Sequence, residues 1–430
     1  MVNFVKKYIL NKMRREDIEI MAPVGSHESL RAAIQAGAGS VYFGAENLNM
    51  RSKSTVNFSL DDLQTIAEYC RKHQVNTYLT LNTVLYNNDL QEMRRIIDTA
   101  RESGITAVIA SDLAAIQYAW SAGMEVHIST QLNISNIESL KFFAQYADVI
   151  VLARELSLEQ VKEITKTIKE ERITGPSGKP VRIELFIHGA LCMAISGKCY
   201  LSLHEKNYSA NRGKCLQICR RSYIVKDKES ERELEIDNEY IMSPKDLSTI
   251  SFLNKILDAG VQVLKIEGRA RSPEYVKTVT ECYHEAVDAY FEGNYTEEKI
   301  KAWQTRLATV FNRGFWDGYY LGKRLGEWSH QYGSQATTKK IYVGKITNYY
   351  KQIQVAEILP EANTVAVNDN IMVIGPSTGV IQSTVSEIRV DDKNVEESPK
   401  KIKCSIPLSR RVRPSDKLYK VVAASKTKTQ

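Results

Sequence analysis

Apolar and polar positions follow two alternating periods over the first 270 residues. Runs rich in Val, Ile and Leu recur at 18–24 (IEIMAPV), 40–45 (SVYFGA), 76–82 (NTYLTLN), 106–112 (TAVIASD), 125–131 (EVHISTQ), 148–153 (DVIVLA), 182–189 (RIELFIHG) and 261–268 (VQVLKIEG). Few polar residues interrupt them, which predicts strands buried on both faces, as in a parallel sheet. Between them, 26–38, 59–73, 89–104 and 157–171 carry the 3.6-residue period of amphipathic helices. Ser26, Ser59 and Ser157 are placed to cap helix starts, and Gly37 and Gly104 to end helices. Eight strands alternating with helices predict an α/β fold of the (β/α)8 TIM type, with an open doubly wound sheet as the alternative.

The period then changes twice. Segments 271–293 and 296–311 read as helices, the first with Ser272 as cap and Pro273 at its first position, and Cys282 on its apolar side. From about 340 to 425, short runs separated by turns such as GPSTG predict a small antiparallel β-barrel. The expected division is a catalytic barrel at 1–270 with a Cys-rich insertion at 190–260 after strand seven, a helical extension at 271–335, and a small β-barrel domain at 336–430.

Composition adds three constraints. A chain of 430 residues buries a core without disulfide staples. Its first residues, MVNFVKKYILNKMRRED, set only short apolar patches between charges, and no run of about 18 apolar residues occurs. A soluble, cytoplasmic protein with free or metal-bound cysteines is therefore expected. Between 400 and 430, ten Lys or Arg face Asp416 alone, a surplus exceeding the whole net charge of +7. The basic character belongs to that stretch, which is either a solvated face or a patch for nucleic-acid phosphates.

In a TIM-type barrel the active face lies at the C-terminal strand ends. Asn82, Asp112, Gln131, Arg154, Glu155, His188, Glu267 and Arg269 fall there, and Glu184 and His188 project from strand seven. The strands are regularly spaced until the seventh, after which a long excursion carries Cys192, Cys199, Cys215 and Cys219 as C-x6-C-x15-C-x3-C. No pair has the two-residue gap common in zinc ribbons. Iron–sulfur clusters accept looser spacing, and Gly189, Gly197 and Gly213 with Arg212, Lys214, Arg220 and Arg221 supply flexibility and positive charge. From the residues alone, a metal or cluster site, a redox or nucleophilic cysteine, and ordinary buried thiols all remain open. Cys70 and Cys404 are isolated and read as structural. Gly-x-Gly-x-x-Gly after a strand, the P-loop, the zincin motif and Gly-x-Ser-x-Gly are absent. A Cys192–His188 pair for acyl transfer would leave three cysteines without a role.

The stretch ELFIHGALCMAISGKCYLS at 184–202 resembles the signature of the collagenase-like peptidase family of unknown catalytic type, with Glu184, Phe186, Gly189, Ala190, Leu191, Cys192, Gly197, Cys199, Leu201 and Ser202 at its fixed positions. MAPVGSHESLRAAIQAGAGSVYFGA, STQLNISN, NRGKCLQICR, MSPKDL and KIEGRARSPEYV resemble further blocks, so the likeness spans nearly the whole chain. The full-length barrel with a C-terminal β domain is most similar to the branch known for prephenate-dependent hydroxylation of transfer RNA uridine (TrhP). That resemblance implies an enzyme installing 5-hydroxyuridine at the wobble position, prephenate as co-substrate, and a [4Fe–4S] cluster on Cys192, Cys199 and Cys215, with Cys219 as fourth ligand. It departs from some relatives at Ser248, where they carry cysteine. Given prephenate, Arg154, Arg269 and Arg271 are the guanidinium groups expected to grip its two carboxylates, and the basic C-terminal domain is expected to hold tRNA. The family name carries the alternative of a peptidase; because other members work in pairs, a non-enzymatic iron–sulfur RNA-binding or assembly partner that needs a second subunit is a further alternative, and a protein partner or homo-oligomer is also an expectation.

Overall fold

The apolar runs form a closed barrel. In the computed structural model, which describes residues 13–52, 57–224, 242–322, 326–329 and 333–424, β1 (Glu19–Pro23), β2 (Ser40–Phe43), β3 (Asn76–Leu81), β4 (Ala107–Ala110), β5 (Glu125–Ile128), β6 (Val149–Val151) and β7 (Arg182–Gly189) pair in parallel in chain order. After β8 (Asp246–Ser248), β9 (Val263–Ile266) pairs in parallel with both β7 and β1 and closes the ring. The eight barrel strands are those expected, β9 being the eighth. The short β8 runs antiparallel to the end of β7, and β10 (Phe315–Trp316) lies parallel beside β8. The insertion's middle at 225–241, the first 12 residues, and Lys426 and Lys428 fall outside the described residues.

Helices α1 (His27–Gln35), α2 (Asp62–Lys72), α3 (Leu90–Glu102), α4 (Leu113–Ser121), α5 (Ile137–Ala144) and α6 (Leu158–Glu171) separate the strands. The insertion contributes α7 (Leu201–Lys206); α8 (Leu253–Asp258) precedes β9, and α9 (Pro273–Phe291) and α10 (Glu297–Ala308) follow it. Ser26 accepts from Ser29 N, and Ser157 forms a capping box with Gln160, as the sequence predicts. Ser59 does not cap: α2 starts after Asp61, and Ser59 donates to the Asp62 carboxylate instead. Ser272 occupies the N-cap position of α9 without a side-chain bond, leaving Pro273 to set the first turn.

Met21, Tyr42, Tyr78, Ala107, Ile109, Val149 and Val263 pack as a separate core inside the barrel. Beneath them, at the N-terminal strand ends, Tyr78 donates to Glu19 at 2.7 Å, Arg182 reaches Glu19 at 2.8 Å, and His127 lies 3.2 Å from Glu125. Polar side chains entering a barrel end need such mutual partners, because an unpaired buried polar group is costly.

The C-terminal unit is an antiparallel sheet of β11 (Thr338–Tyr350), β12 (Val355–Pro360), β13 (Asn370–Gly375), β14 (Gly379–Thr384), β15 (Arg389–Val390), β16 (Lys393–Asn394), β17 (Cys404–Pro407) and β18 (Lys417–Ala423), in the order β14-β13-β18-β11-β12-β17-β15-β16. Register shifts bend β11 between Tyr342 and Gly344 and between Ile346 and Asn348. That curvature lets Ile346, Ile358, Val373, Ile406 and Leu418, from five strands, share one core. The basic stretch from 400 is therefore not a free tail: β17 and β18 lie within it, Lys403 pairs with Glu357 at 2.9 Å, and Lys420 with Asp369 at 2.6 Å. The sheet rests on α1, where Ala32 meets Met372, Ile374 and Val380 and Gln35 donates to the Thr378 carbonyl at 2.8 Å.

Candidate functional site

The C-terminal strand ends and the Cys-rich insertion enclose one cavity of about 170 Å³. Its floor is the inward side of the barrel: Tyr42 from β2, Thr80 from β3, Ile109 from β4, Phe186 from β7 and Lys265 from β9. Its roof is the insertion, which brings Cys192, Cys199, Cys215 and Cys219 to the same cavity. All four are free thiols, Cys192 exposed and the others half-buried. Burial raises Cys199 and Cys219, and for Cys219 the Arg220 charge opposes the rise while Cys192, Cys215 and Cys199 add to it. Among the described residues, no three His, Cys, Asp or Glu side chains are gathered closely enough to hold a single metal ion.

The roof is tied down at several points. Arg212 pairs with Asp89 at 2.7 Å, with its guanidinium over the Tyr86 ring, so the segment before Cys215 is fastened to the loop after β3. Asn133 donates to the Ser196 carbonyl at 2.9 Å, and Arg220 to the Pro244 carbonyl at 2.7 Å. Gly213 has φ +78°, and a Cβ there would stand 2.5 Å from the Asn49 carbonyl, so glycine permits the close approach that sets Cys215 beside Arg51.

Of the residues marked by sequence, Asn82, Gln131, Arg154, Glu267 and Arg269 line this cavity. Arg269 is nearly fully buried and donates to Thr80 at 2.8 Å and Asn49 at 3.2 Å; burial lowers it to about 10. Arg154 lies over the Phe186 ring at 3.7 Å and donates to the Ala190 carbonyl, while its buried Nε has no hydrogen-bond partner among the described residues. Burial pushes the Glu267 carboxyl up, but Arg51 at 2.8 Å, with Arg271 and Arg154, more than offsets it and holds it below its ordinary range.

Other marked residues do not line it, among them Glu184, which is buried and paired with Lys265. Asp112 caps α4 and accepts from Leu85 N, and Glu155 faces solvent. Arg271 does not line the cavity: the chain turns after β9, with Arg271 N bonded to the Gly268 carbonyl, and its guanidinium stacks on Phe311 and faces Asp246 at 3.9 Å. His188 is displaced by a register shift in the β7–β9 pairing between Phe186 and His188, which carries it out of the inward row. It packs against Tyr275, Tyr283 and Phe315, and its Nδ1 lies 3.4 Å from the Tyr283 hydroxyl. Ser248 sits opposite His188 on β8 and does not line the cavity, whereas Cys219 does.

Burial, aided by the Arg271 charge, depresses the His188 imidazole from 6.5 to about 3, so it is neutral and a poor proton acceptor for Cys192. The unfolded chain takes up a proton there below about pH 6.5, whereas the folded protein does so only near pH 3. The contribution to stability is complete above about pH 6.5 and is expected to decline as pH falls towards 3, by about 1.4 kcal/mol per unit. Urea midpoints of the wild type and His188→Phe between pH 7 and 5 check this; equal pH slopes would contradict it.

Arg51 and Lys265 lacked a place in the sequence reading. Arg51 lies in a loop with no pattern of its own. Lys265 had a signal, a cation inside the apolar run VQVLKIEG, matched by Glu184 inside RIELFIHG. Both are buried, Lys265 Nζ lies 2.7 Å from Glu184 Oε1, and Glu184 Oε2 has no hydrogen-bond partner among the described residues. Burial lowers Lys265, partly countered by Glu184. A larger cleft of about 790 Å³ between α9, α10 and the C-terminal sheet contains none of the marked residues except Ser272.

Residues 25–330 match peptidase family U32. The chain is 61% identical over 408 residues to a Porphyromonas gingivalis protein named "Collagenase", covering 95% of this chain and 99% of that one. It is 30% identical over 384 residues to the "tRNA hydroxylation protein P1" of Bacillus subtilis, covering 87% and 88%. It is 31% identical over 406 residues to the "23S rRNA 5-hydroxycytidine C2501 synthase" of Escherichia coli, covering 91% of this chain and 59% of that enzyme.

Proposed function

The chain belongs to peptidase family U32, and from that premise we propose that it is an RNA-modifying enzyme installing 5-hydroxyuridine at the wobble position of tRNA, with prephenate as co-substrate. The observation carrying this reading is the meeting of Cys192, Cys199, Cys215 and Cys219 with Arg51, Arg154, Glu267 and Arg269 on one cavity at the catalytic end of the barrel. Relatives named for tRNA and rRNA hydroxylation, aligned over most of this chain, supply the reaction class.

The donor set fits a [4Fe–4S] cluster: four thiols on one cavity, with Arg51 and Arg220 in their field to balance negative charge. Such a cluster, when bound, would supply one-electron chemistry. Cys219 is preferred to position 248 as fourth ligand, since Ser248 is off the cavity.

Arg154 and Arg269 are the guanidinium groups for the carboxylates of prephenate, with Arg51 in the place first assigned to Arg271. Glu267, kept ionised by Arg51, orients that cation and is a proton acceptor at the cavity wall. The target base enters splayed from its stack. Exposed Lys400, Lys401, Arg410, Arg411 and Arg413 hold the tRNA backbone through its phosphates.

Expression in a host lacking its own tRNA uridine hydroxylation, followed by nucleoside mass spectrometry, is expected to restore 5-hydroxyuridine. Its absence, with the protein folded and expressed, overturns the reading. The relative named "Collagenase" favours peptide hydrolysis as a second reading. It calls for cleavage of denatured collagen that survives iron chelation, and for a base other than neutral His188.

A further inference from the structure

Lys265 is set in an unusual position for an ordinary barrel cation. It lies on the inward row of β9, only 4% exposed, yet it is part of the cavity lining. Its Nζ stands 4.7 Å from the Tyr42 ring centroid and 5.3 Å from that of Phe186. Its carboxylate partner, Glu184, is wholly buried and has only one oxygen engaged among the described residues. Arg154 and Arg269 share the same cavity. A structural ion pair would leave neither an acceptor oxygen unused nor the ammonium at the cavity surface.

We propose that Lys265 is a nucleophile that captures the carbonyl of a 2-oxo acid as a covalent imine. The flanking guanidiniums select the adjacent carboxylate, and the apolar rings of Tyr42 and Phe186 wall the site against water. Primary amines condense with ketones readily when desolvated and partnered by a proton acceptor. The ammonium passes a proton to Glu184, and the freed amine attacks the carbonyl carbon. The C–N bond forms as the carbonyl π bond opens, and a proton moves from nitrogen to the resulting oxygen. Glu184 returns its proton to that oxygen, which leaves as water. The lysine ammonium and the ketone thus become a protonated imine and one water, with no change in oxidation state.

This rests on the reading that the cavity is the reaction site, but it is tested without RNA. The full-length protein is incubated anaerobically with pyruvate and sodium cyanoborohydride, digested, and mapped by mass spectrometry. The expected result is one reduced pyruvyl adduct on the peptide containing Lys265, at a level well above that on surface lysines. Glu184→Gln, checked for native circular dichroism, is expected to form it at least about tenfold more slowly, the effect of removing a positioned proton acceptor. Lys265→Arg is expected to form none. Wild-type protein with no adduct on Lys265, or with adducts spread evenly over surface lysines, overturns the proposal whether or not the variants fold. Retention of tRNA hydroxylation by Lys265→Arg, with no wild-type adduct, would remove the imine while leaving the RNA reading intact. An adduct on Lys265 in a protein that never hydroxylates RNA would keep the imine and remove that reading.

Discussion

Serine in place of Cys192, Cys199, Cys215 or Cys219 is expected to abolish the iron content and visible absorbance that the proposed cluster would give anaerobically purified protein, and to reduce 5-hydroxyuridine in the complemented host to background. The four thiols share one cavity, so losing any one removes a quarter of the ligand set. Cys70, Cys282 and Cys404 provide the contrast. Each is buried in a hydrophobic core, where burial pushes its thiol up to about 12, 12 and 11 respectively. Alanine at those three sites is expected to keep the iron and cost only packing, about 1 kcal/mol each. A Cys192→Ser protein with full iron and normal hydroxylation would sink the cluster assignment. Full iron in Cys219→Ser alone would move the fourth ligand elsewhere.

The largest expected effect on stability belongs to Glu184. Lys265, only 4% exposed at the cavity floor, is held by one carboxylate at 2.7 Å, so Glu184→Ala strands a buried ammonium. Breaking such a pair from one side costs about 3 to 5 kcal/mol, a large part of the 5 to 15 that holds a typical domain. Replacing both partners, as in Glu184→Leu with Lys265→Met, is expected to recover most of the loss, because neither charge is then left buried alone. Urea unfolding of the three variants decides the matter. A Glu184→Ala loss below about 1 kcal/mol would mean that water reaches the pair.

The barrel was legible because its strands are buried on both faces, and such strands write themselves as uninterrupted apolar runs. The run at 261–268 was read as the eighth strand, and β9 closes the ring there. The cavity was legible where period two carries past a strand end: Glu267 and Arg269, both marked from the sequence, line it, whereas Lys265, two positions earlier on the same row, went unmarked. It failed at Arg271, because the turn closed on the Gly268 carbonyl ends the alternation. It failed at His188 for a related reason, a register shift that no residue pattern announces. Ser59 lost its expected cap because the helix begins three residues later, at Asp62. Arg51 sits in an irregular loop and is paired there with Glu267, which is 216 positions away in sequence.

The packed interior below Lys265, sealed by Tyr78, Glu19 and Arg182, makes the reaction chamber a cul-de-sac. Nothing therefore passes through the barrel to its other end. On the proposed function, a small co-substrate is expected to be seated before the RNA covers the entrance, and its spent form to leave after the RNA. On the same reading, excess RNA added before the co-substrate is then expected to slow the reaction, which initial rates at both orders of addition check.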